Sequence, residues 1–232
     1  MFKNIKIVGF DADDTLWVNE PFFKEIEEEF CDLLVDFLPN HKISKELFKT
    51  EVQNLELYGY GVKAFLLSLI ETALKISNYK VSNHTIARII ELGKEQLKKP
   101  VILLDGIEDV LKELSENYKL IVATKGDLLD QERKLSKSGI EEYFHHIEIM
   151  SDKKESDYTK LLNHLEIKPE EFVMIGNSLK SDIIPVINIG GQGIHIPFHT
   201  TWQHETQLEN DLNNKDYHTL ESVSDSLKLF SK

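Results

Sequence analysis

Cysteine is nearly absent. Cys31 is the one cysteine among 232 residues, which excludes an intramolecular disulfide framework and a cysteine-based metal cage, and is what a reducing compartment allows. Long apolar runs are missing too. The longest, such as residues 64–67 and 101–104, fall far short of the roughly 18 residues that a membrane-spanning helix needs. Positive charge is in deficit, with 27 Lys+Arg against 40 Asp+Glu and a net charge of −13. With no basic cluster to offset it, neither nucleic acid nor an anionic membrane surface is expected as a partner. The N-terminal residues carry no stretch resembling a signal peptide, so a cytoplasmic location is expected. Repeats, low-complexity segments and heptad seams are also lacking, and a monomer is the expectation.

The length, with 41% hydrophobic residues, suits one domain of moderate size or a core carrying an insert. Residues 5–10 form a mainly apolar run that stops at Asp11-Ala12-Asp13-Asp14-Thr15, as a buried strand with acids at its C-terminal end would. From Pro21 the pattern changes. Phe22, Ile26, Phe30, Leu33 and Phe37 recur every three or four residues between charged ones, predicting an amphipathic helix that starts at Pro21 and closes before Pro39. Further helices are predicted over residues 44–58, 62–76 and 82–97, the last with Ser82 as N-cap. The segment from 21 to about 99 thus reads as all-helical.

Beyond Pro100 strands and helices alternate. Apolar runs at 120–123, 147–150, 173–175 and 194–196 are separated by helical patterns at 107–116, 128–137, 158–165 and 182–189. Such alternation predicts a parallel sheet covered on both faces, an α/β fold. Leu220, Val223, Leu227 and Phe230 keep a helical period, predicting that 209–232 packs as a terminal helix.

In an open parallel sheet, ligands bind at the carboxyl ends of the strands. The residues there form one set: Asp11, Asp13 and Thr15 after the first strand, Thr124 with Lys125 and Gly126 after the second, Lys153 and Lys154 near the third, and Asn177 through Asp182 after the fourth. Asp11 and Asp13 would repel one another, and desolvation would raise their pKa values unless a cation compensated. Oxygen-only donors favour a hard ion, Mg²⁺.

On these motifs the chain resembles the haloacid dehalogenase-like hydrolase superfamily. Asp11-Ala12-Asp13-Asp14-Thr15 is similar to its first motif, Asp-x-Asp-x-Thr. Thr124 stands for the second, Lys153 or Lys154 for the lysine of the third, and Gly176-Asn177 through Asp182 for the fourth, usually Gly-Asp-x4-Asp. The resemblance implies a Rossmann-like, three-layer core of residues 1–17 and 101–232 with an inserted all-helical cap at 18–100. It also implies Asp11 as carboxylate nucleophile and Asp13 as general acid and base. Thr15, Thr124, Lys125, Gly126 and Lys153 are the candidate contacts to the substrate phosphate. Mg²⁺ would be held by Asp11, the Asp13 carbonyl, and Asn177 or Asp182, since Asn177 stands where the family has an acid. An acid at position 13 favours phosphoryl chemistry over dehalogenation, because halide leaves without a proton.

The expected activity is Mg²⁺-dependent hydrolysis of a small phosphorylated metabolite through an aspartyl-phosphate on Asp11. A phosphotransferase or mutase using the same intermediate, and a non-catalytic phospho-ligand binder, are the alternatives. His195, His199 and His204 are read as packing or substrate contacts in preference to a metal trio, because Pro197 breaks their spacing.

Overall fold

The computed structural model describes residues 2, 4–205 and 217–230. Among the described residues, six strands form one sheet in the order β3-β2-β1-β4-β5-β6: β1 (Ile7–Phe10), β2 (Lys119–Lys125), β3 (Phe144–Met150), β4 (Phe172–Gly176), β5 (Gln192–His195) and β6 (His218–Thr219). Every pairing is parallel. β1 lies between β2 and β4 with all four residues buried, which is why it reads as a continuous apolar run without alternation. Gly9 is where the sheet face is tightest. A Cβ there would lie 2.6 Å from the Phe172 ring, so only glycine lets Phe172 cover β1.

Side chains of successive strand residues point to opposite faces and build two cores. Val8, Phe10, Leu120, Val122, Val173 and Ile175 pack with α5 (Ile107–Ser115) and with Leu135 of α6 (Leu128–Ser138). Ile7, Ile121, Ala123, Phe172 and Met174 pack with α7 (Glu155–His164) and with Val186 of α8 (Ile184–Asn188). The result is the expected three-layer, Rossmann-like arrangement.

The register decides what emerges at the sheet's carboxyl edge. Phe10 stands opposite both Val122 and Ile175, and the Asp11 N–H donates to the Ile175 carbonyl at 2.9 Å. Thr124 and Asn177 therefore leave the neighbouring strands one register position beyond Asp11. The strand order reverses at β1, where such sheets bind ligands.

The chain divides into two compact units: residues 1–20, 101–125 and 131–232 in one, and residues 21–100 with 126–130 in the other. The second contains α1 (Glu20–Leu33) from its second residue onward, α2 (Asn40–Tyr58), α3 (Val62–Ile76) and α4 (Asn83–Gln96), around a core of Phe30, Leu34, Ile43, Leu47, Leu69, Ile89 and Leu92. Ser82 caps α4 by accepting from the Thr85 N–H at 3.0 Å.

Three expectations about elements change. The helix from Pro21 stops at Leu33, not near Pro39, and Phe37 lies in a turn, 38% exposed. Leu34, fully buried one residue past the helix end, takes the core position that the periodicity assigned further along. The helix expected over 182–189 is a π-helical turn (Leu179–Ile183) followed by α8. Within the segment expected as a terminal helix, 209–216 and 231–232 lie outside the described residues. The remainder holds strand β6, a 3-10 turn (Val223–Ser226) and the short helix α9 (Leu227–Phe230). Leu220 sits outside the helix because its N–H is taken by the carbonyl of His195, extending the sheet edge.

Candidate active site

Asp11 is 6% exposed at the end of β1. Its Oδ2 accepts from Thr15 Oγ1 at 3.2 Å and its Oδ1 accepts from Lys153 Nζ. The same ammonium donates to Asp182 Oδ1 at 2.7 Å, and the second oxygen of Asp182 accepts from the Ser178 N–H at 3.0 Å. Asp182 reaches this place because Gly176 has no side chain: a Cβ would lie 2.3 Å from Asp182 Oδ2. Ser178 Oγ then caps the turn by accepting from the Ser181 N–H at 3.0 Å. Lys154, the neighbour of Lys153, is an exposed residue whose amine pairs with Asp152 at 2.9 Å.

Burial pushes the Asp11 carboxyl up to about 7; Lys153 opposes this and Asp182 adds to it. Burial alone would lower the Lys153 pKa, but the charges of Asp11 and Asp182 outweigh it and hold the group well above the usual lysine range. Lys153 is therefore an ammonium shared by two buried carboxylates. One cation between two anions leaves the cluster short of positive charge.

That deficit, and the oxygens around it, suit Mg²⁺. Thr15 Oγ1 lies 3.2 Å from Asp11 Oδ2 and 3.5 Å from Asn177 Oδ1, so the Asn177 amide oxygen is turned toward the Asp11 side. Among the described residues, no three His, Cys, Asp or Glu side chains form a metal group by themselves. An ion here would need neutral oxygens such as the Asn177 amide and a main-chain carbonyl, which are hard donors.

The Asp13 side chain is held separately. Its Oδ1 accepts from Trp17 Nε1 at 2.7 Å and from Lys134 Nζ at 2.6 Å, and its Oδ2 accepts from Gln131 Nε2 at 2.8 Å. Thr124 is 2% exposed, with its hydroxyl 3.4 Å from the same Gln131 nitrogen. Asp14, with a positive φ of 62°, accepts from the Asn19 and Glu20 N–H groups. Burial raises its carboxyl to about 7 against those bonds.

The side chain of one expected phosphate contact is engaged by other residues. The Lys125 amine donates to Glu205 Oε1 at 2.7 Å and to Ser181 Oγ at 2.8 Å, and Gly126 groups with the helical unit. The three histidines are kept apart in their bonding: His195 Nε2 pairs with the Asn177 carbonyl at 3.1 Å, His204 with Lys180 at 2.7 Å, and the His199 ring lies tilted against that of Phe198.

Glu205, Gln131 and Lys134 are the site neighbours that sequence reasoning missed. Gln131 and Lys134 lie three residues apart on α6 and so share a face, a spacing that could have singled them out. Nothing local marks Glu205. Burial would raise its carboxyl, but the Lys125 charge and bonds from Lys125, Ser178 and Ser181 hold it at about 2. A depressed pKa contributes stability above the unfolded value near 4.5, lost as the pH falls through the folded value. We expect urea unfolding to show wild type more stable than Glu205→Gln by roughly 3 kcal/mol at neutral pH, at about 1.4 kcal/mol per pKa unit. The gap should shrink steadily below about pH 4.5; a gap independent of pH would show that Glu205 is not ion-paired.

Comparison with known proteins follows the same lines. The sequence pattern of the family described as haloacid dehalogenase-like hydrolase matches residues 5–190. The N-acylneuraminate-9-phosphatase of Mus musculus is 27% identical over 211 residues, 81% of this chain and 80% of that protein. The glyceraldehyde 3-phosphate phosphatase of Methanothermobacter thermautotrophicus is 25% identical over 232 residues, 95% of this chain and 97% of that protein. Among solved structures, a haloacid dehalogenase-like family hydrolase from Xanthomonas campestris superposes with a TM-score of 0.86 at 33% identity, covering 97% of this chain and 91% of that one.

Proposed function

The chain belongs to the haloacid dehalogenase-like hydrolases, and from that premise we propose that it is a Mg²⁺-dependent phosphatase of a small phosphorylated metabolite. The observation that carries this reading is the buried triad in which Lys153 joins Asp11 to Asp182 beside Thr15. It supplies a carboxylate nucleophile, a fixed cation that lets an anionic substrate approach it, and oxygens for a metal. The two relatives described above are named N-acylneuraminate-9-phosphatase and glyceraldehyde 3-phosphate phosphatase, which supports a small substrate.

Asp11 attacks the phosphorus atom of the monoester, and the bond from phosphorus to the ester oxygen breaks. The leaving oxygen takes a proton from the Asp13 carboxyl. Asp13, now a carboxylate, takes a proton from water as that water attacks the aspartyl-phosphate, releasing inorganic phosphate and restoring Asp11. Lys153 and the Thr124 hydroxyl hold the non-bridging oxygens, whose charge changes between ground and transition states. Asp11, the Asp13 carbonyl and Asn177 would hold Mg²⁺. We assign Asn177 rather than Asp182 as the direct ligand, because Thr15 Oγ1 lies within 3.5 Å of both the Asn177 amide oxygen and Asp11 Oδ2, which puts that neutral oxygen on the nucleophile's side. When bound, the ion offsets the negative charge of the nucleophile and the substrate phosphate. Residues 18–100 we assign to a cap that selects substrates.

The test is release of inorganic phosphate, with and without Mg²⁺, from sugar phosphates, nucleotides, phosphoamino acids and 4-nitrophenyl phosphate, using Asp11→Asn as the blank. Metal-dependent release that the blank lacks is expected. No release from any compound overturns the phosphatase reading in favour of phosphoryl transfer or ligand binding.

A further inference from the structure

The Asp13 carboxylate is gripped from two sides. Trp17, four residues along the same loop, donates to Oδ1. The other two donors come from α6: Lys134 Nζ to Oδ1 at 2.6 Å and Gln131 Nε2 to Oδ2 at 2.8 Å. One hydrogen bond leaves a carboxylate free to turn about its side-chain torsions, whereas donors on both oxygens set the plane and direction of the group.

Each α6 residue is itself anchored. Gln131 is 4% exposed, and its amide nitrogen also donates to the Lys125 carbonyl at 3.0 Å and lies 3.4 Å from Thr124 Oγ1. That one amide therefore links the end of β2 to the Asp13 carboxylate. Among the described residues its oxygen is buried without a hydrogen-bond partner, an unfavourable placement for a group chosen only to stabilise the fold. Lys134 also donates to Asn19 Oδ1 at 3.2 Å, with its amine 6.0 Å from the Trp17 ring centroid. A lysine held at three points on a helix has lost the mobility usual for its type.

We propose that Gln131 and Lys134 are positioning residues that aim the Asp13 carboxyl group at the leaving-group oxygen, and that Gln131 ties this aim to the phosphate-binding end of β2. The inference rests on the phosphatase reading above. It follows that the two residues matter in proportion to how much the leaving group needs a proton. A simple alkoxide needs one; 4-nitrophenolate leaves without it.

The experiment compares kcat/KM for an alkyl phosphate taken from the substrate panel with that for 4-nitrophenyl phosphate, in wild type, Asp13→Asn, Gln131→Leu and Lys134→Met. Because kcat/KM covers the steps through phosphoenzyme formation, it reads the protonation of the leaving group. The ratio of the two values on one preparation is unaffected by any loss of folded enzyme. Asp13→Asn should cut the alkyl substrate by ~10²-fold or more, the usual contribution of a positioned acid, and the aryl substrate far less. Gln131→Leu and Lys134→Met should reproduce that asymmetry at about tenfold or more, with Lys134→Arg recovering part of it. Equal losses on both substrates, or no loss on either, would overturn the positioning role. If Asp13→Asn shows no asymmetry, or wild type releases no phosphate, the acid assignment or the phosphatase reading itself fails, and the proposal falls with it.

Discussion

In Asp11→Asn, phosphate release should fall by on the order of 10⁴-fold or more, because a carboxamide cannot form the acyl phosphate and removing one member of a concerted set of groups removes nearly all its effect. The fold should survive. Thr15 can still donate to the side-chain oxygen, and Lys153 keeps its bond to Asp182. Moreover, the substitution removes a buried charge whose carboxyl is already pushed up to about 7 by burial. The thermal midpoint should therefore stay level or rise while turnover disappears. Unchanged turnover in a folded variant would remove Asp11 from the role of nucleophile.

Lys153→Met should damage both stability and activity. Methionine matches the length of the aliphatic stem but leaves Asp11 and Asp182, both nearly inaccessible to water, facing one another without a cation. Breaking a buried ion pair by removing one partner costs about 3–5 kcal/mol, measurable as a lowered urea midpoint in buffer free of divalent cations. Phosphate release should fall to the level of the Asp11→Asn blank. Lys154→Met, one residue away at an exposed surface pair, should change neither. Equal effects at the two positions would contradict the burial of Lys153. Adding Asp182→Asn to Lys153→Met should recover part of the lost stability, since one of the two uncompensated charges is then gone.

Much of this site lies in local sequence. An apolar run ending abruptly in Asp11-Ala12-Asp13-Asp14-Thr15 is legible because a buried parallel strand must be apolar on both faces and because ligands gather at its carboxyl end. The same reasoning located Thr124 and the turn from Asn177 to Asp182. A helical period can outrun its physical support. Phe37 keeps the helical period of α1, yet the helix ends at Leu33 once Leu34 fills the core. Leu220 keeps the period of a terminal helix, yet its N–H bonds to the carbonyl of His195 in β5. A period records only that one face of a helix could be buried. It says nothing about competing backbone bonds.

The residues that hold the site in place were less accessible for the same reason. Lys153 meets Asp11 across 142 positions, and Gln131 meets Asp13 across 118. Lys125 reads as a phosphate contact from its place after Thr124, but its amine is engaged by Glu205, 80 residues further on.

The sequence by itself determined the α/β class, the helical insert, the positions of the strand-end acids and the chemistry those residue types favour, since each follows from periodicity and residue type within a few positions. Only the tertiary structure decided which of two adjacent lysines is buried between Asp11 and Asp182. It also decided that Lys125 serves Glu205, and that α6 turns Gln131 and Lys134 toward Asp13. Those outcomes depend on how strands of fixed register and packed helices bring distant side chains within about 3 Å, the reach of a hydrogen bond, and no local pattern encodes that distance.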